Sequence, residues 1–139
     1  LYMNKISGPL LDRIDIQCEI TPVPFKDISK AAQGEPSAEI RKRVIRAREI
    51  QAARFSGQKG IHCNAQMSER MIHQYAEPDE AGISMLRMAM ERLSLSARAY
   101  NRILKVARTI ADLAGAPSVG MAHVAEAVQY RRALPGSPC

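Results

Sequence analysis

The chain has 139 residues and a formal net charge of +6, from 20 lysines and arginines against 14 aspartates and glutamates. This length suits one compact domain, and a hydrophobic fraction of 46% with 24% charged residues excludes wholesale disorder. The sequence contains no apolar run of the roughly 18 residues that a membrane helix needs, and its three cysteines are irregularly spaced, which argues against a disulfide framework. We therefore expect a cytoplasmic protein with no membrane partner. Its positive charge permits a nucleic-acid partner without establishing one.

The first predicted element is a β-strand over residues 14–20. Apolar and polar residues alternate strictly there, from Ile14 to Ile20, and Gly8-Pro9 and Thr21-Pro22 flank the segment as breakers. A lone strand leaves its own backbone groups unpaired. We therefore expect the chain to be a piece of a longer protein that supplies the sheet, and we expect residues 1–21 to be mobile or wrongly paired without it.

From residue 36 onward the pattern is helical. Apolar spacing and capping residues predict helices from Ser37 to about Phe55, from the cap Ser68 to Tyr75, from Pro78 to about Leu93, from the cap Ser96 to Gly115, and from about Met121 to Arg131. The predicted fold is mainly α, a bundle of four or five helices preceded by an orphan strand. The predicted organisation is a strand region at 1–21, a linker at 22–35, a helical subdomain at 36–132 and a flexible tail at 133–139.

Arg13 is the first candidate functional residue, since it lies at the lip of the expected sheet. A guanidinium group there can be held towards a ligand of a neighbouring subunit, where its planar fork matches phosphate oxygens. The alternative is an ordinary ion pair with Asp12 or Asp15.

Arg98 is the second candidate, in the first turn of the helix that Ser96 caps. The unpaired N–H groups of a first turn favour an anion. Arg102 and Lys105 continue the same stripe at helical spacing and are candidates for supporting phosphate contacts. The alternative is a solvated basic face.

A basic helix is the third feature, with six cations at Arg41, Lys42, Arg43, Arg46, Arg48 and Arg54. Such a helix can follow a phosphate backbone, so Arg41, Lys42, Arg43 and Arg46 are candidate DNA-binding residues. It can equally be the solvated face of a bundle helix. No metal site is expected, because His62, Cys63 and His73 lack the spacing of metal ligands.

Two runs of the sequence resemble the magnesium chelatase-like AAA+ ATPases of the bacterial ComM/YifB competence-protein family. They are KISGPLLDRIDI at residues 5–16 and MERLSLSARAYNRILKVARTIADL at residues 90–113, with shorter echoes in NAQM at 64–67 and HVAEAVQYR at 123–131. The resemblance implies the C-terminal part of such an ATPase, with the last strand of the AAA+ core in residues 1–21 and the helical lid in residues 36–132.

The resemblance also implies roles for both arginines. Arg13 corresponds to the arginine finger and Arg98 to the sensor-2 residue. ATP and Mg²⁺ would be bound by the intact protein, with neither held tightly by this piece. The implied partners are the upstream core and the neighbouring subunits of a homohexameric ring.

Two functions remain open from the sequence. The first is a part of a ring helicase that drives branch migration in DNA uptake and recombination. The second is a lid or adaptor module of a chaperone-like or chelatase-type ATPase that acts on protein partners without DNA contact. A single continuous stripe of basic residues favours the first, and a scatter of basic residues around the bundle favours the second. We expect no ATP hydrolysis by this chain alone.

Overall fold

The structure is a computed structural model that describes residues 8–25 and 34–131. Its elements are α1 (Gly8–Leu11), α2 (Ser37–Arg54), a 3₁₀ helix (Asn64–Gln66), α3 (Glu69–Tyr75), α4 (Glu80–Arg92), α5 (Ala97–Leu113) and α6 (Met121–Gln129). Within these two ranges there is no β-sheet, and an isolated bridge joins Pro78 to Val119. The mainly helical class predicted from the sequence is therefore confirmed. The predicted tail at 133–139 and part of the predicted linker lie outside the described residues.

Residues 14–20 do not form the predicted strand. They carry no ladder of backbone hydrogen bonds, and the apolar side chains of the segment are exposed, with Ile20 at 91%. One backbone contact ties the segment to the bundle, from Gln17 N to Tyr130 O at 2.7 Å. The alternating pattern is present, but the described part of the chain offers no second strand with which residues 14–20 can pair.

Capping side chains begin α3 and α4. Ser68 Oγ accepts from Met71 N at 3.4 Å before α3, and Asp79 Oδ1 accepts from Gly82 N at 2.7 Å before α4. Beyond the end of α5, Gly115 has a φ of +68°, the left-handed conformation that glycine adopts without strain. The predicted helices consequently agree with the observed ones to within about two residues.

Helix α5 is the centre of the bundle. It packs against α2, α3, the 3₁₀ helix and α6, and α4 closes the bundle against α6. Ile103 and Leu104 of α5 are fully buried, whereas Leu113 at its C-terminal end is 42% exposed. Because α5 contacts several neighbours, it buries more than one narrow stripe of side chains.

Helix α2 is anchored to the bundle through its C-terminal half only. Every residue from 37 to 46 is exposed, whereas Ala47 and Gln51 are buried. Phe55 follows the helix directly and packs edge-on against Tyr75, with ring centroids 5.9 Å apart. The N-terminal half of α2 therefore projects beyond the bundle. None of the described helices combines the length and the apolar character required to cross a bilayer.

Candidate functional site

The segment that carries Arg13 lies against the start of α5 and the end of α6. Asp12 Oδ2 accepts a hydrogen bond of 3.0 Å from Ser96 Oγ, the N-cap of α5, and Asp15 forms an ion pair with Arg102 in the second turn of that helix. At the end of α6, Arg131 Nη2 lies 3.5 Å from Asp12 O. We call this arrangement the junction (residues 12–17 with 96–102 and 130–131). It places the segment that carries Arg13 in contact with the end of α5 that carries Arg98.

Arg13 is exposed within the junction. Its backbone N donates to Leu10 O at 3.0 Å, but its guanidinium makes no hydrogen bond or ion pair with any residue of the described ranges. The ion pair with Asp12 or Asp15 that the sequence leaves open is not seen, because both carboxylates contact other groups instead. No residue of the described ranges therefore competes with a ligand or partner for the side chain of Arg13.

Arg98 differs from the other two cations of its stripe. Arg102 is paired with Asp15, and Lys105 Nζ donates to Ala65 O at 2.9 Å. Arg98 is exposed, and in the part of the chain that the structure describes its guanidinium has no partner. Among the described residues, Arg98 is therefore the member of the candidate phosphate stripe without an internal contact, and it lies near the N-terminus of a 17-residue helix.

The four candidate DNA-binding residues, Arg41, Lys42, Arg43 and Arg46, are all exposed on the projecting half of α2. Lys42 pairs with Glu39 at 2.7 Å, and Arg43 Nη2 donates to Glu35 Oε2 at 2.9 Å. The hydrogen bond from Arg43 lowers the pKa of the Glu35 carboxyl. Successive helical residues are about 100° apart, so Arg41, Lys42, Arg46 and Arg43 lie at about 0°, 100°, 140° and 200° around the helix. The four cations therefore form a broad band over more than half of the circumference, within which Lys42, Arg46 and Arg43 lie closer together.

Arg54 is not part of this basic surface, although the sequence pattern grouped it there. Its side chain is only 12% exposed and contacts Asp112, which is completely buried. Arg54 Nη1 lies 2.8 Å from Asp112 Oδ2 and 2.8 Å from Asn64 Oδ1. Arg54 thus fastens the end of α2 to α5 through a buried polar cluster.

Asp112 also accepts hydrogen bonds from Asn64 Nδ2 at 2.8 Å and from Arg108 Nε at 3.0 Å. Burial alone would raise the pKa of the Asp112 carboxyl, but the hydrogen bonds from Arg54 and Asn64 and the positive charge of Arg108 outweigh it, so the pKa is lowered. Burial lowers the pKa of Arg108. In the sequence, the i, i+4 spacing of Arg108 and Asp112 is the feature that could have indicated this cluster. Arg54 lies 58 residues from Asp112, and no periodicity connects the two.

The candidate metal ligands are not brought together. The backbone N of His62 and the Sγ of Cys63 both contact Gln66 Oε1, at 2.8 and 3.6 Å, and His73 is exposed on α3. Over residues 8–25 and 34–131, no group of three or more His, Cys, Asp or Glu side chains is placed to hold a metal ion.

Two family models match the chain. Residues 34–131 match the model described as magnesium chelatase, subunit ChlI C-terminal, and residues 1–28 match magnesium chelatase, subunit ChlI. Among curated proteins, the chain is 40% identical over 131 residues to competence protein ComM of Haemophilus influenzae, and 43% and 40% identical to the proteins YifB of Salmonella typhimurium and Escherichia coli. Each match covers 94% of this chain and 25% of the relative, so the chain spans about a quarter of the length of these proteins.

Proposed function

Because the chain belongs to the family of the magnesium chelatase subunit ChlI C-terminal region, with ComM and YifB as relatives, we propose that it is the lid region of a magnesium chelatase-like AAA+ ATPase that works as a homohexameric ring in the cytoplasm. In this proposal Arg13 is the arginine finger and Arg98 is the sensor-2 residue. ATP and Mg²⁺, held mainly by the upstream core of the intact protein, supply the phosphoryl-transfer chemistry.

The observation that carries the proposal is the state of the two arginines at the junction. Both are exposed, and neither is paired with a residue of the described ranges, whereas Arg102 and Lys105 beside them are committed. A guanidinium that stabilises the charge of a transferring phosphoryl group has to be free of internal carboxylates, because an ion pair would compete with the phosphate oxygens.

The test is ATP hydrolysis by an intact ATPase that contains this chain. An arginine finger contributes roughly 10³–10⁵ to turnover, or about 4–7 kcal/mol of transition-state stabilisation. Arg13→Ala should therefore abolish hydrolysis while ATP binding survives, and Arg98→Ala should also lower turnover. Arg70→Ala is the matched control, since Arg70 is exposed on α3, away from the junction. Turnover by Arg13→Ala close to that of the control would refute the arginine-finger assignment.

We further propose that the intact ATPase is a DNA-acting motor in DNA uptake and recombination, with branch migration as its activity. Two observations support this: one relative is named a competence protein, and the projecting half of α2 carries exposed cations, of which Arg41 and Arg46 have no partner among the described residues. Exposed cations of this kind are suited to contact phosphates and give binding that weakens steeply with salt.

The second candidate function is an adaptor lid that binds protein partners without DNA contact. The spread of the four cations over more than half of the circumference of α2 favours it over a narrow DNA track. So do three apolar residues on the same projecting half, Ile40, Val44 and Ile45, which are each more than 40% exposed. Exposed apolar residues on a charged helix are typical of protein-binding surfaces. DNA binding by the chain, tested below, separates the two functions.

A further inference from the structure

We propose that Asp12 and Asp15 are positioning residues for Arg13. They hold the loop that carries Arg13 on the first two turns of α5, the turns that also carry Arg98, so that the two arginines move as one unit. This inference rests on the proposed function for its catalytic consequence. Its structural part can be tested on the chain by itself.

The first clamp is made by Asp12 and the N-cap of α5. Ser96 Oγ donates to Asp12 Oδ2 at 3.0 Å and accepts from Ala99 N at 3.3 Å. A hydroxyl has one proton to donate and lone pairs to accept with, so one side chain serves both contacts without conflict. The group that begins α5 is therefore the same group that holds the Arg13 loop.

The second clamp is the ion pair between Asp15 and Arg102. Six residues of helix separate Ser96 from Arg102, a rise of about 9 Å. Residues 12 and 13 form a turn, with Ile14 N donating to Leu11 O at 3.1 Å, so the side chains of Asp15 and Arg102 help to span this distance. The loop therefore lies beside the first two turns of α5, with one clamp on each side of Arg13.

The two clamps also explain why Arg13 is paired with neither of its neighbouring aspartates. Asp12 and Asp15 are the nearest carboxylates in the sequence, and each is occupied by a donor from α5. A third contact, from Gln17 N to Tyr130 O at 2.7 Å, ties the loop to the end of α6. With contacts to two helices, the loop has a defined orientation, and a displacement of α5 carries Arg13 with it.

The structural test uses amide hydrogen exchange measured by NMR on this chain. The amides of Arg13 and Ile14 report the loop, since they donate to Leu10 O at 3.0 Å and Leu11 O at 3.1 Å. Asp12→Ala and Asp15→Asn should each speed their exchange about two- to fivefold, the range for partly exposed polar pairs. The amide of Ala107, in the buried middle of α5, should stay protected, which shows that the helix remains folded.

Two variants control this measurement. Exchanging the charges with Asp15→Arg and Arg102→Asp together should restore slow exchange, whereas Glu19→Gln, which neutralises an exposed carboxylate close to the loop, should have no effect. Unchanged exchange in both Asp12→Ala and Asp15→Asn would overturn the clamps. So would a charge exchange that leaves the loop as mobile as Asp15→Asn does.

The functional test is turnover by the intact ATPase. Asp15→Asn should lower kcat with little change in the KM for ATP, and the charge exchange should restore kcat. A kcat that stays low in the charge exchange, although slow amide exchange returns, would overturn the positioning role. Normal turnover by Arg13→Ala would overturn the proposed function instead, and would leave the exchange results to decide the clamps alone.

Discussion

The buried cluster around Asp112 predicts a large loss of stability on Asp112→Ala. Asp112 is completely buried and faces two arginines, Arg54 and Arg108, whose side chains are 12% and 3% exposed. Removing the carboxylate leaves both guanidinium groups with a buried charge and no counter-ion. Asn64 Nδ2 loses its 2.8 Å contact to Asp112 but keeps another, to Thr109 Oγ1 at 3.0 Å.

The magnitude follows from the cost of an uncompensated buried charge. Removing one partner of a buried ion pair costs about 3–5 kcal/mol, which is a large share of the roughly 5–15 kcal/mol that stabilises a typical domain. Arg108 keeps its hydrogen bonds to Ala116 O at 2.7 Å and Pro117 O at 3.1 Å, which limits the loss on its side. We therefore expect about 3–5 kcal/mol, equivalent to a fall in Tm of about 10–20 °C.

Urea and thermal unfolding followed by circular dichroism at 222 nm would measure this loss. Glu49→Ala is the matched control, because it removes an exposed carboxylate from the middle of α2 and should change stability by less than about 0.5 kcal/mol. A loss below about 1 kcal/mol in Asp112→Ala would refute the reasoning. It would mean that water reaches the arginines in the variant and replaces the carboxylate.

Three further predictions concern pH, packing and DNA. The pKa of Asp112 is below its ordinary value of 3.8, so the contribution of its carboxylate to stability is complete above that pH and is lost as the pH falls through the lowered value. In Asp112→Asn, the free energy of unfolding should therefore fall less steeply with decreasing pH in the acid range. Gly82→Ala should lower the stability of the chain by about 1–3 kcal/mol in the same thermal unfolding experiments, because the added Cβ would lie 2.7 Å from Pro78 Cβ. This cost exceeds the gain from the better helix propensity of alanine. An unchanged Tm would show that α4 shifts freely. If the projecting half of α2 contacts DNA, binding of the chain to labelled single-stranded, duplex and forked DNA should weaken with salt and be lost when Arg41, Arg43 and Arg46 are changed to Gln; equal binding by the variant would exclude this surface, and no binding at low salt would favour the adaptor function.

Helix positions were predictable from the sequence because local chemistry determines them. Ser68 and Ser96 cap the helices that follow them, as predicted, and such a contact spans only three residues. The predicted start of α4 at Pro78 is two residues early, because Asp79 is the N-cap of that helix. The same local reasoning places Gly115 after the end of α5, where a positive φ is required.

The strand predicted at residues 14–20 could not be judged from local sequence alone. Its alternation describes a surface suited to a sheet, but pairing depends on a second strand, and the described residues provide none. The alternating pattern indicates that the segment can join a sheet. In this chain it contacts α5 and the end of α6 instead.

The role of Arg54 also depends on a residue that is distant in the sequence. In the sequence it is one of six cations on a helix, and only the distant Asp112 turns it into a buried anchor. For the junction, the resemblance identified Arg13 and Arg98 as the residues of interest. The contacts from Asp12 to Ser96 and from Asp15 to Arg102, separated by 84 and 87 residues, are tertiary and became visible only with the fold.

The projecting half of α2 gives the molecule a lever arm. Residues 37–46 form about 15 Å of exposed helix, and the helix is fixed at its other end by Ala47, Gln51 and Arg54. A rotation of about 10° at that fixed end would displace the tip by about 2–3 Å. Because Arg54 is held to α5 through Asp112, small movements at the base of the helix would be magnified at the exposed cations and isoleucines of its tip.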